Sequence, residues 1–400
     1  MDRSHYKIFS PGVIAGLTIP NRLVRSATWD PCILSSRQMT EEVLALYRDL
    51  ALGGAGLLIS GGLPVYRERF PEEDSDKPVR LYTDLRVSGV DKMAQVVHAA
   101  NPDCKIVAQL EVGYLDAGPS PIATPFSDQP VRALLADEIE QIIACFVDAI
   151  VNMQGSGFDG VQLHAAHGGL LSRFLSPYTN RREDGFGDTT EKRANIVREI
   201  IARARKRVGD LPILIKMNGT DYLAGGIDVD SFPAQAQAIV RAGVDAIEIS
   251  GGMWECLFRP EAELGFRPVP APESHTRIGR PGQQSYFLEY AERVDVPVPI
   301  ILAGGNRDVE RLEAIVQGGR VDFIALCRPL IREPGLPKRW RAGIGRRVPE
   351  CVSCNSCLYA MIVHPGRLVP GLVTCVCKGD KKEHRMAQKW LATWKECQKG

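Results

Sequence analysis

Apolar residues in this chain fall into short continuous runs, separated by longer stretches where they recur at three- and four-residue spacing. Eight runs rich in isoleucine, valine and leucine stand out, at 22–28, 56–60, 105–110, 160–164, 212–217, 246–250, 299–303 and 322–326. Short unbroken runs of this kind are what parallel strands buried on both faces require. The amphipathic stretches between them predict helices over 40–52, 87–100, 137–154, 190–208, 230–242, 283–294, 308–317 and 333–342. Asp137 and Thr190 sit where N-caps belong, and Gly155, Gly209, Gly243 and Gly318 where helices should stop. Residues 7–20, with brief apolar runs around Pro11-Gly12 and Gly16, predict a small N-terminal hairpin. Eight strand–helix units of this length predict a (β/α)8 TIM barrel. A doubly wound open sheet is the alternative. It is disfavoured because no Gly-x-Gly-x-x-Gly turn follows any predicted strand, which also argues against a dinucleotide-binding domain. The barrel is expected to span 1–343, with a C-terminal extension over 344–400.

Composition narrows the classes. The 400 residues suffice for one large α/β domain, and 44% hydrophobic with 24% charged residues is ordinary globular usage. A formal net charge of +1 gives no electrostatic bias toward nucleic acid or an anionic membrane, so neither is an expected partner. The first five residues are polar, and no long apolar run exists, so neither a signal peptide nor a membrane span is expected and a cytoplasmic setting is. Eleven cysteines are too sparse for a disulfide scaffold, yet five of them crowd between 351 and 377.

Candidate chemistry gathers at the C-terminal ends of the predicted strands, where barrel enzymes keep it. The stretch 157–187 delivers His164 and His167 at the end of the fourth strand, followed by a segment rich in arginine, asparagine and glycine. A close histidine pair is also a zinc pattern, although no third ligand stands nearby in sequence. Long loops at 111–130 and 251–281 leave the same face and are expected to wall a pocket. Gly304 and Gly305 end the seventh strand, and Cys327 and Arg328 end the eighth; turns there form the recurrent phosphate site of such barrels. Ser26, Ala27 and Thr28 end the first strand and Gly62 the second, small enough for a flat ring to approach. Gln109 adds an amide and Lys216 a cation. Small residues, an amide, a cation and a phosphate cradle together suit a planar, anion-stabilised cofactor with one phosphate, such as FMN.

The stretch GFDGVQLHAAHGGLLSRFLSPYTNRREDGFG, with LTIPNRLVRSAT, GGAGLLISGG, VAQL, PILIKMNG and ILAGGNRDVERLEAIVQGGRVDFIALCRPLIREPGLPKRW, resembles the Old Yellow Enzyme family of FMN-dependent NAD(P)H oxidoreductases over residues 6–343. Its His-x-x-His form is closer to the bacterial ene-reductase and dienoyl-CoA reductase branches. The resemblance implies that Ser26, Ala27 and Thr28 line the flavin face and that Gly62 lies beside the ring. It puts Gln109 on the pyrimidine edge and Lys216 near N1–O2. Gly304, Gly305, Cys327 and Arg328 then take the phosphate, with Cys327 standing where the family has glycine. His164 and His167 would hold the oxygen of an α,β-unsaturated carbonyl substrate while hydride arrives from the flavin, as an oxyanion hole does. NAD(P)H would re-reduce the flavin as co-substrate. An oxidative or demethylating flavoenzyme of the same superfamily, or a barrel that binds FMN or a phosphorylated ligand with little turnover, is the alternative.

Three positions depart from the family. Gly169 stands where its proton-donating tyrosine is expected, leaving another acid such as Tyr178 or Tyr114, water, or an acceptor that needs no such proton. Trp29 stands where a threonine or cysteine tunes the flavin, and is expected to narrow the pocket. The sequence as given carries no appended flavin and pyridine-nucleotide domains, so electrons are expected directly from NAD(P)H or from a partner. Cys351, Cys354 and Cys357, with Cys375 after a loop and Cys377 beyond it, form a thiol cluster. A [4Fe-4S] cluster, a zinc ion and a redox-labile thiol patch all fit that pattern. The resemblance implies the [4Fe-4S] cluster, with C-x2-C-x2-C here against C-x2-C-x3-C in longer members. The basic tail, with Trp390, Leu391 and Trp394 on one stripe, is expected to dock on the barrel or on a second copy in a homo-oligomer.

Overall fold

The structure is a computed structural model that describes residues 2–29, 38–65, 87–113, 117–123, 130–268, 271–276, 278–358, 373 and 375. Eight parallel strands form its centre: β1 (Leu23–Arg25), β2 (Leu57–Ile59), β3 (Lys105–Glu111), β4 (Gly160–Ala165), β5 (Ile213–Thr220), β6 (Ala246–Gly251), β7 (Ile300–Leu302) and β8 (Phe323–Leu326). Each pairs with its neighbour in sequence, and β8 pairs with β1, so the sheet closes into the expected barrel. The outer ring is α1 (Glu41–Leu52), α2 (Val90–Ala100), α3 (Ala136–Gly155), α4 (Asn195–Val208), α5 (Phe232–Arg241), α6 (Leu288–Arg293), α7 (Val309–Gln317) and α8 (Leu336–Arg341).

Local chemistry explains these elements. The N-terminal strands Gly12–Ile14 and Leu17–Ile19 pair antiparallel across Ala15 and Gly16, both at positive φ, the signature of a two-residue hairpin turn. Ile14 and Ile19 of this hairpin are buried with Val24, Leu57, Val107 and Ile301 of the barrel interior. The hairpin therefore plugs the N-terminal end and leaves the opposite end for a ligand. The turns before β4, β6 and β8 each place an aspartate whose carboxylate accepts the N–H of the preceding strand: Asp159 from Ile106, Asp245 from Ile213 and Asp322 from Ile300. That repeat is a register clamp.

The predicted boundaries need three corrections. Thr189, not Thr190, caps the fourth helix, because its hydroxyl accepts the Lys192 N–H; the helix is then interrupted at Ala194 between Thr190–Arg193 and Asn195–Val208. Asp137 lies inside α3. The Glu138 carboxylate instead folds back to the Leu135 N–H at 2.7 Å while pairing with Arg132. After β8 the chain turns helical at once, over Arg328–Arg332, before α8. Among the described residues, no helix is long and apolar enough to cross a membrane.

Candidate active site

Above the apolar plug, the barrel interior changes character. Register places Lys216 of β5 directly beside Glu248 of β6 on one side and His164 of β4 on the other. The Lys216 ammonium meets the Glu248 carboxylate at 3.0 Å, and Glu248 is fully buried. Ser26 accepts a hydrogen bond from Lys216 at 2.9 Å and donates one to Glu248 at 2.6 Å. The second Glu248 oxygen accepts from Gln162, whose own carbonyl accepts from Gln109 at 2.8 Å. Five polar side chains from β3, β4, β5, β6 and the end of β1 thus form one satisfied network across the barrel. A carboxylate buried this deeply persists only when such partners satisfy it.

The two histidines stand at the rim of this layer. Their ring centroids are 5.2 Å apart. His167 adopts positive φ, its N–H is held by the Asn218 side-chain oxygen at 3.1 Å, and its Nε2 lies 2.7 Å from Ser250 Oγ. His164 Nδ1 is buried without a partner, and its Nε2 lies 3.8 Å from the Glu111 carboxylate. Burial, with Lys216 adding repulsion, lowers the His164 pKa to about 3; burial, His164 and Lys216 hold His167 well below its ordinary value. Both rings are therefore neutral at pH 7, each with one N–H to donate.

This has a stability consequence with a definite sign. The unfolded chain takes up protons on these histidines near their ordinary value of 6.5, and the folded chain does not, so stability falls as pH drops below 6.5. The full slope is about 1.4 kcal/mol per pH unit for each histidine. Glu111, raised by burial to about 7 from 4.5, acts in the opposite sense between those values. Urea unfolding of the wild type and His164→Gln at pH 6.5 and 4.5 checks this. The variant should lose less stability over that interval, and equal losses would contradict neutral burial of His164.

Other expected site residues are placed as follows. Ser26 and Thr28 are buried at the mouth, and Thr28 Oγ1 lies 3.1 Å from Cys327 Sγ while also accepting from Arg25. Ala27 packs against the interior cluster. Gly62 lies under the Glu111 side chain, whose carboxyl carbon would be 2.3 Å from an added Cβ. Gly304 and Gly305 both have positive φ, but Tyr286 covers them, 2.6 Å and 2.7 Å from where Cβ atoms would stand. Arg328, expected as a bidentate phosphate clamp, instead donates from Nη1 to the His275 carbonyl at 2.8 Å and to the Asn355 side chain. It pins the cysteine-bearing segment to the end of β8, and Arg307, after β7, holds the same segment through Ser353. Trp29 is 42% exposed and so does not fill the mouth. The Tyr178 N–H donates to Ser176, whereas Tyr114 and Cys377 lie outside the described residues.

Cys351, Cys354, Cys357 and Cys375 line one cavity of about 230 Å³ together with Arg328 and Arg332. None of the four forms a disulfide. Among the described residues, no three His, Cys, Asp or Glu side chains converge as a single metal ion would require.

Sequence reasoning missed Gln162, Glu248, Ser250 and Asn218. Glu248 carried a usable signal, being a lone acid inside an apolar strand whose neighbouring strand offers Lys216. Trp254 lies in the loop after β6 that was expected to wall the pocket, but its particular contact was not foreseeable. Its ring lies 2.6 Å from a Cβ placed on Gly168, a contact with the histidine turn that only the folded chain creates.

The ring end of this site fits a flavin: Ser26, Gln109 and Lys216 converge at strand ends, and an unpartnered buried His164 nitrogen adjoins them. A closed barrel with a polar mouth of this kind defines a flavin-type (β/α)8 oxidoreductase. A sequence model described as the NADH:flavin oxidoreductase / NADH oxidase family matches residues 7–346. The chain belongs to that family, and the Old Yellow Enzyme resemblance is borne out. It is 32% identical over 361 residues to an NADH oxidase of Thermoanaerobacter brockii, covering 87% of this chain and 52% of that protein. The structure of a 2-naphthoyl-CoA reductase in complex with 2-naphthoyl-CoA shares the fold with a TM-score of 0.76 at 24% identity, over 96% of this chain and 58% of that one. An Old Yellow Enzyme homologue from Zymomonas mobilis does so with a TM-score of 0.64 at 20% identity, over 87% and 99%. The chain spans about half the length of the curated relatives it first matches.

Proposed function

We propose that this chain binds FMN at the barrel mouth and uses NAD(P)H to reduce an electron-poor alkene conjugated to a carbonyl. The observation that carries this reading is the pair of neutral imidazoles beside the Lys216–Ser26 layer. When bound, the flavin supplies two-electron hydride chemistry. Gln109 and Ser26 would orient the ring, and Lys216 would set positive charge at its edge. The phosphate would fall at the turns after β7 and β8, beside Gly304, Gly305, Cys327 and Arg328, where Tyr286 and the Asn355 contact of Arg328 would have to give way to it. His164 and His167 would each aim one N–H at the carbonyl oxygen, stabilising the negative charge that develops there. Trp254 and the loop after β6 would exclude water from the pair. A cytoplasmic setting, where NAD(P)H is supplied and thiols stay reduced, suits this reading.

The test is anaerobic reduction of the purified protein by NADH and NADPH, followed by 2-cyclohexenone. Yellow protein that bleaches and is reoxidised by the enone is the expected result. Colourless protein that takes up no added FMN would sink the reading. Bleaching without reoxidation would favour the oxidative or demethylating alternative, which the glycine at 169 makes the natural second reading.

We further propose that Cys351, Cys354, Cys357 and Cys375 hold a [4Fe-4S] cluster. Burial raises the Cys357 thiol above its ordinary value, and a bound cluster would reverse that by holding the thiolate. Anaerobically prepared protein is expected to contain iron and to show broad visible absorption beyond that of flavin. Fewer than about one iron per chain would count against the cluster.

A further inference from the structure

Position 169 is a glycine at the start of the helix Leu170–Leu175, and a Cβ there would stand 3.4 Å from the Val112 carbonyl and 3.9 Å from the His164 ring. A side chain at 169 would therefore have projected between His164 and the end of β3. The residue already at that end is Glu111. It shares a strand face with Gln109, two residues earlier, and so points toward the barrel mouth. Its carboxylate reaches to 3.8 Å from His164 Nε2 and packs across Gly62, where any larger residue would displace it. The side chain is 22% exposed, so a ligand can touch it and water can return a proton to it.

We propose that Glu111 is the acid that protonates the substrate carbon adjacent to the carbonyl. The inference rests on the alkene-reductase reading above. In the step, hydride originating from NAD(P)H forms the C–H bond at the β-carbon, and the alkene π pair moves toward the carbonyl. That pair then takes the proton of the Glu111 O–H at the α-carbon, and water reprotonates the carboxylate. NAD(P)H is oxidised to NAD(P)+, the alkene is reduced, and one proton is consumed. Among the described residues, the titratable groups facing Glu111 are His164 of β4, at 3.8 Å, and behind it His167, just past the end of β4, and Lys216 of β5. Both imidazoles are neutral, so neither draws the proton away. Burial, which raises Glu111 to about 7, keeps much of it protonated near neutral pH.

The test compares wild type, Glu111→Gln and Glu111→Asp. After anaerobic reduction by NAD(P)H, reoxidation by 2-cyclohexenone is followed from pH 5.5 to 8.5. The wild-type rate should fall above about pH 7, while Glu111→Gln should be about 100-fold slower with no such fall. Glu111→Asp should recover part of the rate and keep a pH-dependent profile. In parallel, infrared difference spectra of flavin-free wild type and Glu111→Gln should assign a protonated carboxyl band to Glu111 that disappears as pH rises through about 7. Enone reoxidation of Glu111→Gln within about threefold of wild type, with the same pH profile, overturns the proposal alone. A wild type that no enone reoxidises removes the alkene reading and this proposal with it. Absence of a titrating Glu111 band overturns the proposal whatever the substrate.

Discussion

Replacing both His164 and His167 with alanine is expected to slow enone reduction by about 100- to 1,000-fold, the range seen when donors to a developing oxyanion are removed. The two rings are neutral, their centroids lie 5.2 Å apart, and one of them carries a buried nitrogen with no protein partner. An unpartnered buried polar atom is costly unless a ligand satisfies it, which supports the oxygen-binding role proposed for His164. Flavin reduction by NAD(P)H should suffer less, because no oxyanion forms in that half-reaction. Binding of phenolates such as p-hydroxybenzaldehyde, followed by its long-wavelength absorption with the oxidised flavin, should weaken in parallel. Unchanged phenolate affinity in the double variant would remove the histidines from the oxygen-binding role. The single variants should differ from each other. The His167 ring is already tied to Ser250, whose buried hydroxyl loses that partner in the alanine variant while the backbone N–H bond to Asn218 stays, whereas loss of His164 relieves an orphaned nitrogen. His167→Ala is therefore the variant expected to cost stability as well as rate.

The barrel was legible because its strands are buried on both faces. Runs such as 57–59 and 323–326 had no alternation to mislead, and glycine-and-aspartate turns repeat before 160–164, 246–250 and 322–326. Helix starts were less legible, since a cap depends on which nearby oxygen reaches the free N–H groups. Thr189 and Glu138 do so here in place of Thr190 and Asp137. At the site, residues contributed singly by strand ends were found, including Ser26, Gln109, Lys216 and the two histidines. What escaped was set by pairing across strands or between loops. Arg328 looks like a phosphate clamp from its place after β8, but Asn355 and the His275 carbonyl compete for it once the chain beyond the barrel folds back. Gly304 and Gly305 look like an open cradle until Tyr286, almost twenty residues earlier, is laid across them. Glu111 looked like the first residue of a loop, and only its approach to His164 over Gly62 turns it into chemistry.

The largest expected effect on stability comes from splitting the Lys216–Glu248 pair. Lys216 is 6% exposed and Glu248 not at all, so removing one partner leaves a charge in a region water does not reach. Such single removals cost about 3–5 kcal/mol. The two singles should not be equal. Lys216→Met leaves Glu248 with hydrogen bonds from Ser26 and Gln162, whereas Glu248→Leu leaves Lys216 with Ser26 alone and strands the Gln162 amide as well. Glu248→Leu should therefore be the more destabilising, by urea unfolding at pH 7. The double variant Lys216→Met/Glu248→Leu removes both charges and should recover most of the loss, because well-packed apolar side chains commonly replace a buried pair at little cost. A double variant as unstable as the sum of its singles would mean that the network holds the barrel together in its own right. Recovery of stability with loss of flavin affinity would mean the reverse. The pair would then be a cation carried into the barrel for a ligand, with Glu248 there to make the charge tolerable until that ligand arrives.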